Sequence, residues 1–278
     1  MGKPLGGVRV LVCGVGVAGA SAARALLAVG ADVALTATAE GAAVPDLVAA
    51  GARWLGALDA LPDVELVVTS PGLRPTDRLL VAASARGMPV WGEVELAWQL
   101  RGPAAAPWLA ITGTNGKTTT VHMLEAMLRA AGLRAVAVGN VGVPLIDAVV
   151  AAEPYEVLAV ELSSQQLHFA SSVRPAAGAL LNLAPDHLDW HGSFDAYTTA
   201  KEAIWAGPIA VGNADDPAVA RMLPGARGMH VEFTLDEPRV GQLGIMAGRL
   251  VCRAFGDEDA GGLVLASVAD VRPAIIPS

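Results

Sequence analysis

Lysine is scarce in this chain of 278 residues, since only Lys3, Lys117 and Lys201 occur and the other 16 of the 19 basic residues are arginine. The formal net charge is −8 and no run of basic residues stands out, which argues against a surface that binds nucleic acid or an anionic membrane. Because arginine fills the ordinary cationic positions, each lysine in the interior of the chain indicates a chemical need for a primary amine.

Cysteine and long apolar segments are also scarce. The two cysteines, Cys13 and Cys252, suit a reducing compartment, and no apolar segment led by basic residues marks a secretory signal. The most apolar early stretch, residues 10–23, is rich in glycine and shorter than the ~20 residues that cross a bilayer. We therefore expect a cytoplasmic monomer that has no membrane segment and no nucleic-acid partner.

Hydrophobic residues make up 53% of the chain, and its length fits two domains. Strand-like and helix-like segments alternate over residues 1–102, a linker rich in Pro, Gly and Ala follows at 101–107, and the alternation restarts over 107–278. Short strands after residue 228, with a hairpin turn at 247–249, indicate a small antiparallel part. The sequence therefore predicts an α/β fold: a Rossmann-like parallel-sheet domain over 1–102 and a P-loop ATPase-like central domain over 107–278.

The strongest motif is a glycine-rich loop between a predicted strand, residues 108–112, and a predicted helix, residues 117–131. Glycines allow backbone N–H groups to face phosphate oxygens, the lysine reaches the terminal phosphates, and the hydroxyl after it can bind Mg²⁺. The loop lacks the first glycine of the general P-loop, because Ile111 stands at that position. We assign ATP binding to Gly113, Thr114, Asn115, Gly116, Lys117, Thr118 and Thr119.

Polar residues follow two further predicted strands. Glu161 ends the strand at 157–161, and a carboxylate at that edge of a parallel sheet, beside a phosphate loop, can bind Mg²⁺. A polar block that contains His187 follows the strand at 177–183. A strand-end glutamate is usually solvated and a single histidine is usually structural, so these residues taken alone leave both interpretations open.

Lys201 lies in a predicted helix, residues 193–206. An exposed cation there would be arginine in this chain, so the lysine indicates that a primary amine is required. A desolvated, neutral amine can react with CO₂ to form a carbamate, which replaces a cation by oxygen ligands for Mg²⁺. The alternative is an ordinary solvated lysine.

The N-terminal part carries Gly14, Gly16 and Gly19 in a GxGxxG pattern between a strand and a helix. A dinucleotide site also requires an acidic residue at the end of the second strand, but the first acid after that strand is Glu40. This disfavours NAD and leaves a site for a pyrophosphate. A second loop, Ser-Pro-Gly at 70–72, follows another predicted strand.

Three motifs resemble the Mur ligase family, whose members are ATP-dependent amide-forming ligases of peptidoglycan synthesis. They are the shortened phosphate loop, Glu-Leu-Ser-Ser at 161–164 and Asn-x-x-x-Asp-His-x-Asp at 182–189. Folylpolyglutamate synthase shares the shortened loop but lacks an N-terminal UDP domain, so the GxGxxG and Ser-Pro-Gly loops favour the Mur ligases. The resemblance covers essentially the whole chain.

The resemblance implies that ATP and two Mg²⁺ ions are used and that Lys201 is carbamylated. The catalytic residues it implies are Lys117, His187 and Lys201. The metal ligands it implies are Thr118, Glu161, His187 and Lys201. The residues it implies for the UDP substrate are Gly16, Val17, Ala18, Ser70, Asn140, Ser163 and His187.

The Ser-Pro-Gly loop and Trp-Gly-Glu-Val-Glu-Leu at 91–96 are most similar to family members that add D-glutamate to UDP-N-acetylmuramoyl-L-alanine through an acyl phosphate. A sibling ligase that adds another amino acid, and a fragment that binds nucleotide or UDP-sugar without catalysis, are the alternatives. Family members continue with a third domain that holds the incoming amino acid. The resemblance therefore predicts that this chain is truncated and does not ligate D-glutamate by itself.

Overall fold

The computed structural model describes residues 5–102, 104–255 and 261–271. Its strands form one sheet of five strands and one of nine, with helices between them, so the predicted α/β class is confirmed. Lys3 lies outside the described residues, as do the parts of the two predicted domains at residues 1–4, 103, 256–260 and 272–278.

The first sheet is built from the N-terminal strands β1 Arg9–Cys13, β2 Asp32–Thr36, β3 Arg53–Trp54, β4 Leu66–Thr69 and β5 Val90–Gly92. All neighbours pair in parallel, in the order β3-β2-β1-β4-β5. The helices are α1 Val17–Ala28, α2 Val44–Ala49, α3 Arg78–Ala85 and α4 Glu93–Leu100. The pattern predicted β1, β2 and β4, whereas β3 and β5 are too short to show a periodicity.

Helix α1 begins at Val17, before the last glycine of the GxGxxG pattern. Gly16 is the N-cap, with an extended backbone (φ −69°, ψ −171°), so the helix starts inside the GxGxxG pattern. Gly19 permits this close approach, because a Cβ at that position would lie 1.9 Å from the Gly14 carbonyl oxygen. The N-terminus of α1 therefore lies directly against the glycine loop.

The second sheet contains β6 Trp108–Thr112, β7 Ala135–Gly139, β8 Val157–Glu161, β9 Ala177–Leu180, β10 Ile209–Asn213, β11 Met229–Phe233, β12 Gln242–Met246, β13 Arg249–Cys252 and β14 Leu263–Ser267. Its order is β14-β13-β12-β11-β10-β9-β6-β8-β7. The strands from β7 to β12 pair in parallel, whereas β12-β13 and β13-β14 are antiparallel. The predicted small antiparallel part is thus confirmed.

Helices α5 Lys117–Ala130, α6 Leu145–Val149, α7 Ser164–His168, α8 Leu188–His191, α9 Phe194–Glu202 and α10 Pro217–Met222 connect these strands. Strand β9 ends three residues before its predicted end at 183, because the backbone carbonyl of Asn182 accepts from the Thr114 N–H of the phosphate loop at 3.0 Å. In the described part of the chain, no helix has both the length and the apolar character that a membrane crossing requires.

The two sheets are packed against each other through the helices α1, α4 and α6. One buried apolar cluster contains side chains from both parts of the chain. Trp98 near the end of α4 and Trp108 at the start of β6 meet edge to face, with ring centroids 4.9 Å apart. These contacts, between the helices and between Trp98 and Trp108, hold the glycine loop of the first sheet near the loops of the second sheet.

Replacing Gly19 by alanine should destabilise the chain, because the added Cβ would lie 1.9 Å from the Gly14 carbonyl oxygen. Overpacking of this kind costs about 1–3 kcal/mol and occasionally more. Gly16→Ala is the matched control, since a Cβ at Gly16 would meet no atom within 4 Å. Chemical denaturation of both variants measures the difference, and equal free energies of unfolding would contradict the close approach.

Candidate functional site

The phosphate loop connects β6 to α5. Gly116 is the N-cap of α5 and has a left-handed backbone with φ +83°, a conformation that glycine adopts without strain. The Lys117 side chain turns back over the loop, and its Nζ donates to the carbonyl oxygens of Gly113 and Thr114, both at 3.0 Å. The loop thus presents a helix N-terminus and an ammonium group on the same side, which is the arrangement that binds phosphate.

Two residues that were not predicted as site residues hold the phosphate loop in place. Asn182 Oδ1 accepts from the Asn115 N–H at 2.8 Å, and Asn182 Nδ2 donates to the Asn115 carbonyl at 3.0 Å. The buried Tyr197 hydroxyl lies 2.8 Å from Thr114 Oγ1. Asn182 belongs to the motif at 182–189, so the sequence carried a signal for it, whereas nothing in the pattern indicated Tyr197.

Glu161 brings three predicted site residues together. Its carboxylate is buried at the end of β8, where Oε2 accepts from Thr118 Oγ1 and Oε1 accepts from Asn140 Nδ2, both at 2.9 Å. Gly139 has φ +103°, and a Cβ there would lie 2.2 Å from the Glu161 carbonyl oxygen. Only glycine allows the turn that carries Asn140 to approach β8 so closely.

Lys201 is 2% exposed, and it is not the solvated helix lysine of the alternative interpretation. Its Nζ donates to Gly113 O at 2.8 Å and to Thr112 Oγ1 at 3.2 Å, and it lies 5.0 Å from the centroid of the Tyr197 ring. Burial, together with the positive charge of Lys117, lowers the pKa of Lys201 to about 7 against the opposing effect of two nearby carboxylates. A substantial fraction of this amine is therefore uncharged at neutral pH.

His187 lies just before α8 in a left-handed conformation (φ +50°, ψ +31°), which is uncommon for a residue other than glycine. Its side chain is half exposed, and Nε2 lies 3.5 Å from Asp186 Oδ2. His187 makes no hydrogen bond to Glu161 or Lys201 in the described part of the chain. Within residues 5–102, 104–255 and 261–271, no three His, Cys, Asp or Glu side chains lie close enough together to bind a metal ion. The role of His187 as a metal ligand therefore stays a prediction.

His191 makes structural contacts in α8. Its Nε2 lies 2.9 Å from the Ser164 hydroxyl, and its ring packs edge to face against Trp190 and Tyr197. Burial, together with the positive charge of neighbouring groups, lowers the pKa of His191 to about 4. His191 is therefore neutral in the folded chain near neutral pH.

A cleft of about 280 Å³ extends from the glycine loop of the first sheet to the turn after β7. Val17 and Ala18 from α1 and Asn140 from that turn line it, so three of the predicted substrate-binding residues share one cleft. Glu93 and Gln166 line it as well. Neither was predicted as a site residue, although Glu93 belongs to the motif at 91–96.

Ser70 and Ser163 lie at two loop positions. The Ser70 N–H donates to the Cys13 carbonyl at 2.9 Å, and a Cβ on Gly14 would lie 2.8 Å from the Ser70 Cβ, so Ser70 lies against the glycine loop. The Ser163 hydroxyl accepts from the Gln166 N–H at 3.2 Å in a capping box at the start of α7. Its hydroxyl is thus engaged at a helix terminus.

A second cavity, of about 270 Å³, lies at the ends of β1 and β2 and is lined in part by Gly14, Thr36 and Asp77. Asp77 Oδ1 accepts from the Leu79 N–H at 2.9 Å at the start of α3. The sequence has no acid at the end of β2 itself, and this cavity obtains its carboxylate from α3 instead.

Comparison with known proteins shows two family matches, since residues 8–92 match the Mur ligase MurD-like N-terminal domain and residues 111–252 match the Mur ligase middle domain. The chain is 51% identical over 280 residues to the UDP-N-acetylmuramoylalanine--D-glutamate ligase of Streptomyces avermitilis, covering 96% of this chain and 60% of that protein. It is 53% identical over 261 residues to the same ligase of Frankia casuarinae, covering 90% and 55%. The chain thus spans somewhat more than half the length of these relatives.

Two solved structures have a similar fold. One is the UDP-N-acetylmuramate:L-alanyl-gamma-D-glutamyl-meso-diaminopimelate ligase from Neisseria meningitides, with a TM-score of 0.56, 18% identity and coverage of 89% of this chain and 85% of that one. The other is the UDP-N-acetylmuramate-alanine ligase from Thermotoga maritima, with a TM-score of 0.50, 21% identity and coverage of 85% and 54%. At these identities the likeness concerns the fold alone.

His191→Gln should reduce the acid sensitivity of the folded chain. The pKa of His191 is about 4 when folded and 6.5 for an ordinary histidine, so the unfolded chain binds the proton first and stability falls as the pH drops through this range. His168, His187 and Lys201 are the titratable groups near His191, and each lowers its pKa when it carries a positive charge. Thermal melting at about pH 6.5 and about pH 4.5 should show a smaller drop for His191→Gln than for wild type. Exposed His230 provides the control, and a drop in His191→Gln equal to that in His230→Gln would contradict the assignment.

Proposed function

The chain belongs to the Mur ligase family, and we propose that it provides the nucleotide- and UDP-substrate-binding parts of an ATP-dependent ligase that adds D-glutamate to UDP-N-acetylmuramoyl-L-alanine in peptidoglycan synthesis. The proposal rests on one observation: Thr118, which follows Lys117 at the phosphate loop, and Asn140 both donate hydrogen bonds to the buried Glu161 carboxylate. The names of the Streptomyces and Frankia relatives support D-glutamate as the amino acid.

ATP binds at residues 113–119 in this proposal, with the N–H groups at the start of α5 facing its phosphates. Lys117 exchanges its two bonds to loop carbonyls for oxygens of the terminal phosphates. The γ-phosphoryl group passes to the carboxylate of the UDP substrate, and ADP leaves. The amine of D-glutamate then attacks the acyl phosphate, so that an amide bond forms and phosphate is released.

The oxygen donors of Thr118 and Glu161 fit Mg²⁺, which prefers hard oxygen ligands, and we assign one ion to them. We assign a second ion to His187 and a carbamylated Lys201. Bound Mg²⁺ would neutralise charge during phosphoryl transfer. Asn140 orients the Glu161 carboxylate through its Nδ2 bond to Oε1.

The environment of Lys201 supports the carbamate. The buried amine has a pKa of about 7, so its lone pair is available to attack CO₂. A C–N bond forms, the nitrogen loses a proton to water, and an anionic carbamate with two oxygens remains. Arginine cannot replace the lysine, because its guanidinium stays protonated.

The UDP substrate binds along the cleft between the two sheets. The residues assigned to its pyrophosphate are Gly16, Val17, Ala18 and Ser70, and those assigned to its muramoyl part are Asn140, Ser163 and His187. The cavity beside Thr36 and Asp77 is assigned to the uridine. The partners are therefore small molecules, and we propose a monomer in the cytoplasm, where reducing conditions suit the free thiols of Cys13 and Cys252.

Titration calorimetry of the 278-residue chain tests the proposal. The chain should bind Mg·ATP and UDP-N-acetylmuramoyl-L-alanine. Lys117→Ala should weaken Mg·ATP binding about 10- to 100-fold, since one charge-assisted contact contributes ~1.5–3 kcal/mol, and should leave the affinity for the UDP ligand unchanged. Arg129→Ala, at an exposed position of the same helix, is the matched control. Unchanged Mg·ATP affinity in Lys117→Ala, or binding of NAD without binding of the UDP ligand, would refute the proposal.

NMR of the chain in isotopically labelled bicarbonate tests the carbamate. The wild-type chain should show a labelled carbamate carbon, and Lys201→Arg should lose this signal although it keeps a cation. Lys117→Arg should retain it, because the Lys117 amine bonds to loop carbonyls at a less buried position. A carbamate signal that survives in Lys201→Arg would assign the modification elsewhere.

A further inference from the structure

Glu93 is a buried carboxylate that connects the two sheets and that the proposed reaction does not use. It is the first residue of α4, is 4% exposed and lines the cleft with Val17, Ala18 and Asn140. Its Oε1 accepts from the Ile146 N–H at 2.9 Å. A residue of the N-terminal part therefore satisfies a free N–H group at the start of α6, in the central part of the chain.

The segment between Asn140 and α6 is a tight turn. Gly142 has φ +66°, and a Cβ there would lie 2.8 Å from the Ala137 carbonyl oxygen. Val143 forms an isolated parallel bridge with Val138, and Pro144 is the N-cap of α6. Because the turn has so little conformational freedom, a shift at the start of α6 moves Asn140 as well.

Asn140 carries this connection to the phosphate loop. Its N–H donates to the Glu161 carbonyl at 2.9 Å, and its Nδ2 donates to Glu161 Oε1 at 2.9 Å. Glu161 Oε2 in turn accepts from Thr118 Oγ1. A continuous path of hydrogen bonds and tight backbone therefore runs from Glu93 in the substrate cleft to the carboxylate beside the phosphate loop.

We propose that Glu93 is a positioning residue: by capping α6 from the N-terminal part of the chain, it holds the turn at 139–144 in the register that places Asn140 on the Glu161 carboxylate. This role rests on the proposed function, because its consequence is a correctly oriented Glu161 for Mg·ATP. It also explains why a polar side chain at the domain junction is buried in the cleft instead of being replaced by an apolar one.

The environment of Glu93 makes its role as an acceptor independent of its charge. Burial, together with the Asp147 carboxylate, raises the pKa of Glu93 to about 7 against the opposing effect of the Ile146 and Leu145 N–H groups. Asp147 itself accepts from the Ser21 hydroxyl of α1. A protonated carboxyl group still has a carbonyl oxygen that accepts from an N–H, so glutamine should replace Glu93 and alanine should not.

Glu95 is a matched control in the same helix. It is 1% exposed, and its Oε2 accepts from the Ser172 N–H at 2.9 Å while Oε1 accepts from Gln99 Nε2 at 2.9 Å. Glu95 thus also crosses between the two parts of the chain, but it bonds to the segment before β9 and not to α6. Its removal tests whether any buried carboxylate at this junction has the same effect.

Hydrogen exchange of the 278-residue chain, read by mass spectrometry on peptides that cover residues 139–149, tests the proposal. Glu93→Ala should raise exchange at these amides about tenfold, as expected for loss of one buried hydrogen bond. Glu93→Gln and Glu95→Ala should exchange like wild type in this segment. If Glu93→Ala does not fold, Glu93→Asp is measured in its place. The shorter aspartate side chain moves the carboxylate away from the Ile146 N–H, so exchange should rise in this variant as well.

Mg·ATP affinity measured by calorimetry on the same variants is the second readout. Glu93→Ala should bind Mg·ATP about five- to tenfold more weakly, whereas Glu93→Gln and Glu95→Ala should bind like wild type. Unchanged exchange in Glu93→Ala, equal changes in Glu95→Ala, or failure of Glu93→Gln to restore the wild-type values each overturns the proposal. If the wild-type chain does not bind Mg·ATP, the proposed function is refuted, and with it the effect of Glu93 on Mg·ATP binding. If the wild-type chain binds Mg·ATP but Glu93→Ala leaves exchange in residues 139–149 unchanged, only the role of Glu93 is overturned.

Discussion

The buried Glu161 carboxylate is the contact on which the arrangement of the site depends. An unpaired charge at the end of a buried strand is strongly unfavourable, so it must be met by hydrogen-bond donors. Thr118 supplies one from the helix after the phosphate loop, and Asn140 supplies the other from the turn after β7. Three segments that are far apart in sequence therefore meet at one carboxylate. This is possible because β6, β8 and β7 are neighbours in the sheet, so that the segments following them lie at the same edge.

The two lysines of the site share a second constraint, because the Gly113 carbonyl accepts from both Lys117 and Lys201. Two ammonium groups at one carbonyl repel each other, and burial disfavours the charged form of the less solvated one. The deeper lysine is Lys201, and burial lowers its pKa. One loop carbonyl thus accepts from a partly exposed lysine at the start of α5 and from a buried lysine in α9, and the proposed function gives these two amines different roles.

The cleft belongs to neither sheet alone, and this limited what the sequence could predict. Strands β1, β6 and β8 and the phosphate loop follow from local signals, namely apolar runs and glycines at fixed spacing. Helix α6 and strand β5 are only five and three residues long, too short for periodicity to reveal them, yet they place Glu93 against the turn that carries Asn140. The unpredicted members of the cleft come from such short elements.

The sequence by itself determined the α/β class, the phosphate loop with Lys117, and the expectation of a chemical role for Lys201, because each depends on local pattern or on composition. Only the tertiary structure decided that Lys201 is desolvated, that Asn140 and Thr118 meet at Glu161, and that Tyr197 lies against the phosphate loop. Burial and hydrogen bonding between distant segments depend on which strands become neighbours in the sheet. No local stretch of sequence records that information, since the pairing partners of β6, namely β8 and β9, lie dozens of residues away.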